Sequence, residues 1–210
     1  MSSGDLKLYY FNLAARGELT RLILAAAGRS YDDIRFNFEQ WPEYKPKMIL
    51  GQCPVLELAD GTQIPQSLSI ARYVAREANM AGADNLESAK IDAVVETQRD
   101  INEIFYSKVF FEKDETKKAE QLKTFLEDTL VKHVESLGKL KKAYSKDERY
   151  FVGNQLSWAD LFVYQSIQAL VQALPEVKGK FGDQFKPLID AVYANENLKK
   201  YLDSRPKTDF

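Results

Sequence analysis

Prolines divide this chain more sharply than any other residue. Four of its seven fall between Pro42 and Pro65, and from Gln66 to Leu174 there is none. A proline inside a helix removes a hydrogen bond and clashes with the preceding turn, at a cost of about 3 kcal/mol. A span of this length without one permits long helices, and the apolar pattern uses that freedom. Ile91, Val94, Val95, Gln98, Ile101 and Phe105 form one nearly continuous helical stripe, and Leu122, Leu126, Leu130, Val134 and Leu137 form another. Ser157 to Asp160 has the form of a capping box with aspartate at its last position, and Leu156 and Leu161 stand where a hydrophobic staple would pack. The helix that starts there, running through Leu170, is apolar on most sides, which predicts burial.

The part before Asn79 follows a different pattern. Leu6, Leu8 and Tyr10 alternate with Lys7, Tyr9 and Phe11 at the period of a strand, with apolar residues on both faces. Leu19, Leu22, Ile23 and Ala26 recur at helical spacing, and Gly28 is a natural stop. A strand near Tyr31 to Phe36 follows. Val55 to Leu58 and Thr62 to Ile64 flank Asp60-Gly61, a hairpin signal, and Ser67 is placed to cap a helix carrying Ala71, Val74, Ala75 and Ala78 on one face. The order β-α-β then β-β-α predicts a small open α/β sheet. The expected organisation is a first domain over 1–79, a small and polar linker over 80–86, and an all-helical domain over 87–210.

Composition narrows the function classes. A formal net charge of −2 argues against nucleic acid as the main partner. No apolar run approaches the ~20 residues that span a bilayer, and the first residues do not have the make-up of a signal peptide. The single cysteine excludes an intrachain disulfide and points to a reducing cytoplasm, while the single histidine excludes a multi-histidine metal centre. The remaining chemistry must use tyrosine, carboxylates, the lone thiol or a borrowed cofactor.

Tyr10 stands at the end of the first strand, ahead of the loop Asn12 to Ala15 and a helix. By itself it reads first as a rim aromatic with its hydroxyl in water. Its companions strengthen a functional reading: Arg16, Trp41, Lys45, the Cys53-Pro54 pair and the Gln66-Ser67 pair all lie at strand edges or helix starts. Such places offer donors to one anionic ligand. Trp41 could instead pack a loop, Cys53 could be a reactive thiol, and His133, on a helix stripe, reads as a packed residue.

Taken in order, Leu8-x-Tyr10-Phe11-Asn12, Arg16-Gly17-Glu18, Trp41-Pro42, Pro54-Val55-Leu56-Glu57, Gln66 to Tyr73, Gly153-Asn154, Trp158-Ala159-Asp160 and Arg205-Pro206 resemble the sigma class of cytosolic glutathione transferases. That class includes haematopoietic-type prostaglandin D synthases and cephalopod S-crystallins, and the likeness covers essentially the whole chain. It implies an α+β two-domain fold, thioredoxin-like at the N-terminus and all-helical after it. It also implies attack by the thiolate of glutathione, a co-substrate, on small apolar electrophiles. Tyr10 would hold the thiolate and Arg16 would add positive potential. Trp41 and Lys45 would serve the glycine carboxylate of glutathione, with Gly51 and Gln52 also in its binding site, Cys53 with a cis Pro54 the cysteinyl backbone, and Gln66 with Ser67 the γ-glutamyl group. Asp100 would reach that group from the partner in a homodimer. Phe11, Leu13, Ala15, Ser107, Phe162 and Phe210 would line the electrophile pocket.

The chain departs from the pattern in several places. Ala14-Ala15 stands where many members have glycine or another residue, Gln52 where vertebrate prostaglandin synthases carry lysine, and Ser107 near where they place a large aromatic. Glu96, Arg99 and Asp100 occupy the stretch that binds a divalent ion in those enzymes, and an arginine there opposes a cation. No metal is therefore expected. Hydroperoxide reduction or prostaglandin H to D isomerisation fits as a side activity. The alternative is a non-catalytic crystallin-like or ligand-carrier relative, against which stands the lack of an inserted segment between Glu87 and Tyr144.

Overall fold

The structure, a computed structural model, describes residues 6–181 and 183–208. Its elements run β1 (Leu6–Phe11), α1 (Ala15–Ala26), β2 (Asp32–Phe36), the short α2 (Trp41–Tyr44), β3 (Val55–Leu58), β4 (Gln63–Pro65) and α3 (Ser67–Glu77). The helical part continues with α4 (Asn85–Ile104), α5 (Glu115–Thr124), α6 (Leu130–Tyr144), α7 (Trp158–Ala173), α8 (Lys186–Ala194) and α9 (Glu196–Ser204). A thioredoxin-like sheet domain is thus followed by helices, as the chain's two patterns predict.

The sheet has the order β2-β1-β3-β4, with β1 parallel to β2 and antiparallel to β3, and β3 antiparallel to β4. Its core is built by Leu6, Leu8 and Tyr10 from β1, Leu19, Leu22, Ile23 and Leu24 from α1, and Ile70, Ala71, Val74 and Ala75 from α3. The other face of β1 is only half-buried, although Tyr9 and Phe11 are aromatic; rings from around α2 lie against it. Gly28 takes a φ of 61° just beyond α1 and gives its N–H to Ala25 O, ending the helix as its position predicts. Ser67 departs from its expected place. It is the first residue of α3, and the capping position belongs to Gln66, which makes no side-chain cap bond.

Among the described residues, compact packing groups those up to Ala81 with those from Val192 onward in one unit, and those between Gly82 and Ala191 in a second. The reason α9 joins the first unit is chemical. Glu18 of α1 is almost wholly buried, and its carboxylate takes donors from Tyr201 and Arg205. A buried charge needs such partners, and the neighbouring helix alone does not supply them all.

In the second unit Asp84 caps α4 by accepting the Glu87 N–H at 2.8 Å. The capping box at α7 is present: Ser157 Oγ accepts from the Asp160 N–H, and Asp160 accepts from the Ser157 N–H. Asp160 also accepts the Phe151 N–H at 2.8 Å, which ties the preceding loop to the helix start. The stripe from Leu122 to Leu137 differs from a single α-helix. A π-helical turn, Phe125–Thr129, sits between α5 and α6. Its wider turn shifts the register, so Phe125 is buried in place of Leu122 and Leu126. Its ring meets Phe105, which opens a second π-helical segment at the end of α4, at a centroid distance of 5.4 Å. Between α4, α6 and α7 a polar chain runs through the core. Asn102 donates to Ser166 Oγ at 2.9 Å, Gln98 donates to Asn102 at 3.0 Å, and His133 Nε2 lies 3.2 Å from Gln98 Oε1.

Candidate active site

Strand register assembles the site at one end of the sheet. Tyr9 pairs with Val55, and Val55 pairs with Pro65. The next residues outward are therefore Tyr10 on β1, Cys53-Pro54 before β3, and Gln66-Ser67 after β4. These were singled out as separate signals in the sequence, and antiparallel pairing puts them side by side.

Tyr10 is buried, and its hydroxyl accepts the main-chain N–H of Arg16 at 3.2 Å. That N–H belongs to the first turn of α1, where amide protons lack helical partners and carry partial positive charge. An accepted hydrogen bond occupies a lone pair on the phenol and leaves its own proton to be given elsewhere. Burial raises the Tyr10 pKa above its ordinary value, against the Arg16 amide and the Arg16 and Arg21 charges, which lower it. Tyr10 is consequently a neutral donor across the physiological range. Gly17 explains how the ring fits. A Cβ there would stand 2.5 Å from Tyr10 Cδ1 and 2.8 Å from Cγ, closer than atoms can approach. Ala15, at the start of the same helix, holds a φ of 34°, a conformation that costs a non-glycine residue about 1 kcal/mol or more.

The Cys53-Pro54 bond is cis. Burial pushes the Cys53 thiol up to about 11, only partly opposed by a hydrogen bond from the Phe11 backbone. Such a thiol is un-ionised at neutral pH and a poor nucleophile, so this position has its main chain to offer. Gln66 is exposed and takes a φ of 73°, again strained for a residue with a side chain. With no side-chain cap at Gln66, the first-turn N–H groups of α3 are available to an anion.

Trp41 begins α2 and stacks on Phe36 at 5.5 Å with planes 15° apart, while Phe11 packs against both rings. Lys45 is exposed one turn later, and its side chain runs along Gly51, whose φ of 57° suits glycine. Gln52 is exposed beside it.

The remaining expected residues fall in both units and are described in turn. Phe11 is engaged in the aromatic group, and Leu13 and Ala15 are half-buried in the loop and helix start after β1. In the second unit Ser107 is exposed and donates to Glu103 O at 2.6 Å, and Phe162 is half-buried on α7. Phe210 lies outside the described residues. Asp100 is exposed on α4, where Arg99 reaches Glu96 at 2.7 Å, Glu103 at 3.5 Å and Asp100 at 4.0 Å.

The sequence reading missed the groups around Tyr10 that do not belong to a ligand site. Glu18 was noted only as part of a motif, and Arg21, Tyr201 and the role of Gly17 passed unremarked. A charged residue within the apolar stripe of α1 was the available signal, since Arg21 falls beside Leu22 and Ile23.

Two domain descriptions account for most of the chain: glutathione S-transferase, N-terminal domain, over residues 5–76, and glutathione S-transferase, C-terminal domain, over 99–205. The chain belongs to the glutathione S-transferase family. It is 35% identical over 202 residues to the hematopoietic prostaglandin D synthase of Gallus gallus, across 96% of this chain and 97% of that one. Its fold matches a sigma-class GST of Fasciola hepatica with a TM-score of 0.86 at 26% identity, covering 98% of each chain. A nu-class GST of Haemonchus contortus gives the same TM-score at 33% identity, again over 98% of each. The resemblance to the sigma class therefore holds, and it is shared with a nu-class member.

Proposed function

We propose that this chain conjugates glutathione to apolar electrophiles, with Tyr10 as the donor that holds the glutathione sulfur as a thiolate. The observation that carries this reading is the bond from the Arg16 N–H to the Tyr10 hydroxyl. It aims the phenol and leaves its proton for the sulfur. A cysteine-type thiol ionises near ~8.5 when free. A hydrogen bond to a charged group is worth roughly 1.5–3 kcal/mol, which at about 1.36 kcal/mol per unit lowers that pKa by one to two units. The thiolate then becomes a main form near neutrality. Its sulfur attacks the electrophilic carbon, a carbon–sulfur bond forms, and the leaving group departs with its bonding pair.

The rest of glutathione meets complementary groups in this reading. Trp41 Nε1–H and Lys45 serve the glycine carboxylate, with Gly51 and Gln52 beside them. The main chain at Cys53, ahead of cis Pro54, pairs with the cysteinyl backbone as an added strand would. Gln66, Ser67 and the start of α3 take the γ-glutamyl carboxylate. The Arg16 side chain, exposed near Tyr10, adds positive potential.

The same reading makes the active species a homodimer in the cytoplasm, in which Asp100 of the partner subunit meets the γ-glutamyl ammonium. Among the described residues no helix is long and apolar enough to cross a membrane. Sedimentation at micromolar concentration tests the assembly, and a fully active monomer would remove the partner's carboxylate from the site. Turnover of a chlorinated nitrobenzene with glutathione tests the activity. Saturable product formation, strongly reduced in Tyr10→Phe, is the expected result. Glutathione binding with no turnover of any electrophile would favour the carrier or crystallin-like alternative.

A further inference from the structure

The first unit buries more charge beneath Tyr10 than holding glutathione requires. The Arg21 side chain has no exposed surface and that of Glu18 almost none. A buried pair persists only where its donors and acceptors are used, so their partners show what the pair does. Arg21 Nη1 donates to Leu13 O at 2.6 Å, its shortest bond, and Nη2 to Phe11 O at 3.5 Å. Its Nε donates to Asp33 at 3.1 Å, while the contact of Nη1 with Glu18 is long, at 3.5 Å. The guanidinium carbon also lies 5.8 Å from the centre of the Tyr10 ring. One side chain thus holds the Leu13 carbonyl of the loop between Tyr10 and Arg16, reaches that of Phe11 at the end of β1 with a longer contact, and places its charge against the Tyr10 ring.

Glu18 is satisfied mainly from α9 and from Arg205, the residue that follows it. Tyr201 Oη lies 3.0 Å from each carboxylate oxygen and Arg205 Nη1 lies 2.5 Å from Oε1. The C-terminal segment also meets the loop directly, where Thr208 Oγ1 accepts the Ala14 N–H at 3.3 Å.

We propose that Arg21 is a positioning residue for Tyr10, and that α9 keeps it in that role by neutralising Glu18 through Tyr201 and Arg205. The proposal rests on the reading of Tyr10 as the thiolate's donor. The distances carry the argument. With Arg205 and Tyr201 on Glu18, the Arg21 guanidinium spends its best bond on Leu13 O. Without them, Glu18 would be a buried anion facing one cation, and that cation would be drawn off the loop toward it. The loop fixes the separation of the Tyr10 hydroxyl and the Arg16 N–H, so its release loosens the donor. The charged and titratable groups facing Tyr10 are Arg16, Arg21 and Cys53, and those around Arg21 are Glu18 and Asp33, with Arg35, Tyr31, Tyr201 and Arg205 behind them.

The test uses the full chain with Arg205→Met, Arg205→Lys and Tyr201→Phe, each alone and combined with Tyr10→Phe. The readout is the pH profile of kcat/KM for the electrophile at saturating glutathione, which follows the thiol of the glutathione complex, together with KM for glutathione. Arg205→Met should move the acidic limb upward by about half a unit or more, with KM nearly unchanged. Arg205→Lys should restore most of that shift, and Tyr201→Phe should give a smaller one. In the Tyr10→Phe background none of them should move the limb further. If Arg205→Met is too unstable to assay, Tyr201→Phe, which keeps both charges, carries the test. A limb unmoved by Arg205→Met and Tyr201→Phe, while Tyr10→Phe does move it, overturns this proposal and leaves the Tyr10 reading standing. An equal shift with and without the Tyr10 hydroxyl also overturns it. No shift from Tyr10→Phe itself would remove both.

Discussion

Gly17 lies against the face of the Tyr10 ring so closely that a methyl group on it would stand 2.5 Å from Tyr10 Cδ1. The glycine near the start of α1 is therefore a packing requirement of Tyr10, seven positions back in the sheet. The atoms met include Cγ, next to the backbone, so the ring cannot swing clear as the tip of a long side chain would.

Gly17→Ala follows directly. Alanine should gain up to about 1 kcal/mol of helix propensity. Overpacking a tight site costs about 1–3 kcal/mol and displaces what it meets. The expected result is a small loss of melting temperature with a turnover loss of about tenfold or more, because the Tyr10 hydroxyl leaves the Arg16 N–H. Thermal unfolding and steady-state kinetics on the same preparation check it. Wild-type turnover in a stable variant would show that the ring's placement is not critical.

His133 supplies a pH dependence of stability. Burial lowers its pKa from 6.5 to about 4, opposed only by the charge of Asp100, and its Nε2 faces Gln98 Oε1. The folded pKa is depressed, so between these values the unfolded chain binds a proton that the folded chain refuses. Stability therefore falls as pH drops from about 6.5 to about 4, by up to about 3 kcal/mol from this group. His133→Gln keeps a donor for Gln98 and removes the titration. Denaturant unfolding across that window should show a flatter profile for the variant, and parallel profiles would exclude His133 as the source.

Arg99 leads to a statement about metal. Its guanidinium contacts Glu96, Asp100 and Glu103, the carboxylates of one helix face. A hard dication needs about six oxygen ligands, and a fixed cation amid the candidate oxygens opposes it. Activity and glutathione affinity should be unchanged, within error, by a chelator or by millimolar magnesium. Clear activation by magnesium would contradict this and would favour prostaglandin isomerisation as a main activity.

Much of this arrangement was legible before any coordinates. Helical periodicity marked α4 and the α5–α6 stretch, Asp60-Gly61 marked the hairpin, and Ser157 with Asp160 marked the start of α7, because each signal is local. Tyr10, Cys53-Pro54 and Gln66-Ser67 could be nominated from their places at element ends, but only the pairing of Tyr9 with Val55 and of Val55 with Pro65 puts them at one end of the sheet. Contacts that depend on distant segments were not legible. Glu18 meets Arg205 across 187 positions, and nothing near Glu18 announces it. The π-helical turn at Phe125 was hidden for a different reason: apolar spacing at Leu122, Leu126 and Leu130 fits an unbroken helix equally well.

The central claim is that the Tyr10 hydroxyl holds glutathione as a thiolate, and the most direct measurement is the pKa of the bound thiol. Ultraviolet difference titration of glutathione on the protein reports thiolate formation without any electrophile or turnover. Wild type should titrate about one to two units below the ~8.5 of a free thiol. Tyr10→Phe should return most of that shift while glutathione still binds, since the rest of the peptide is held elsewhere. Equal pKa values for the bound thiol in the two proteins would contradict the account.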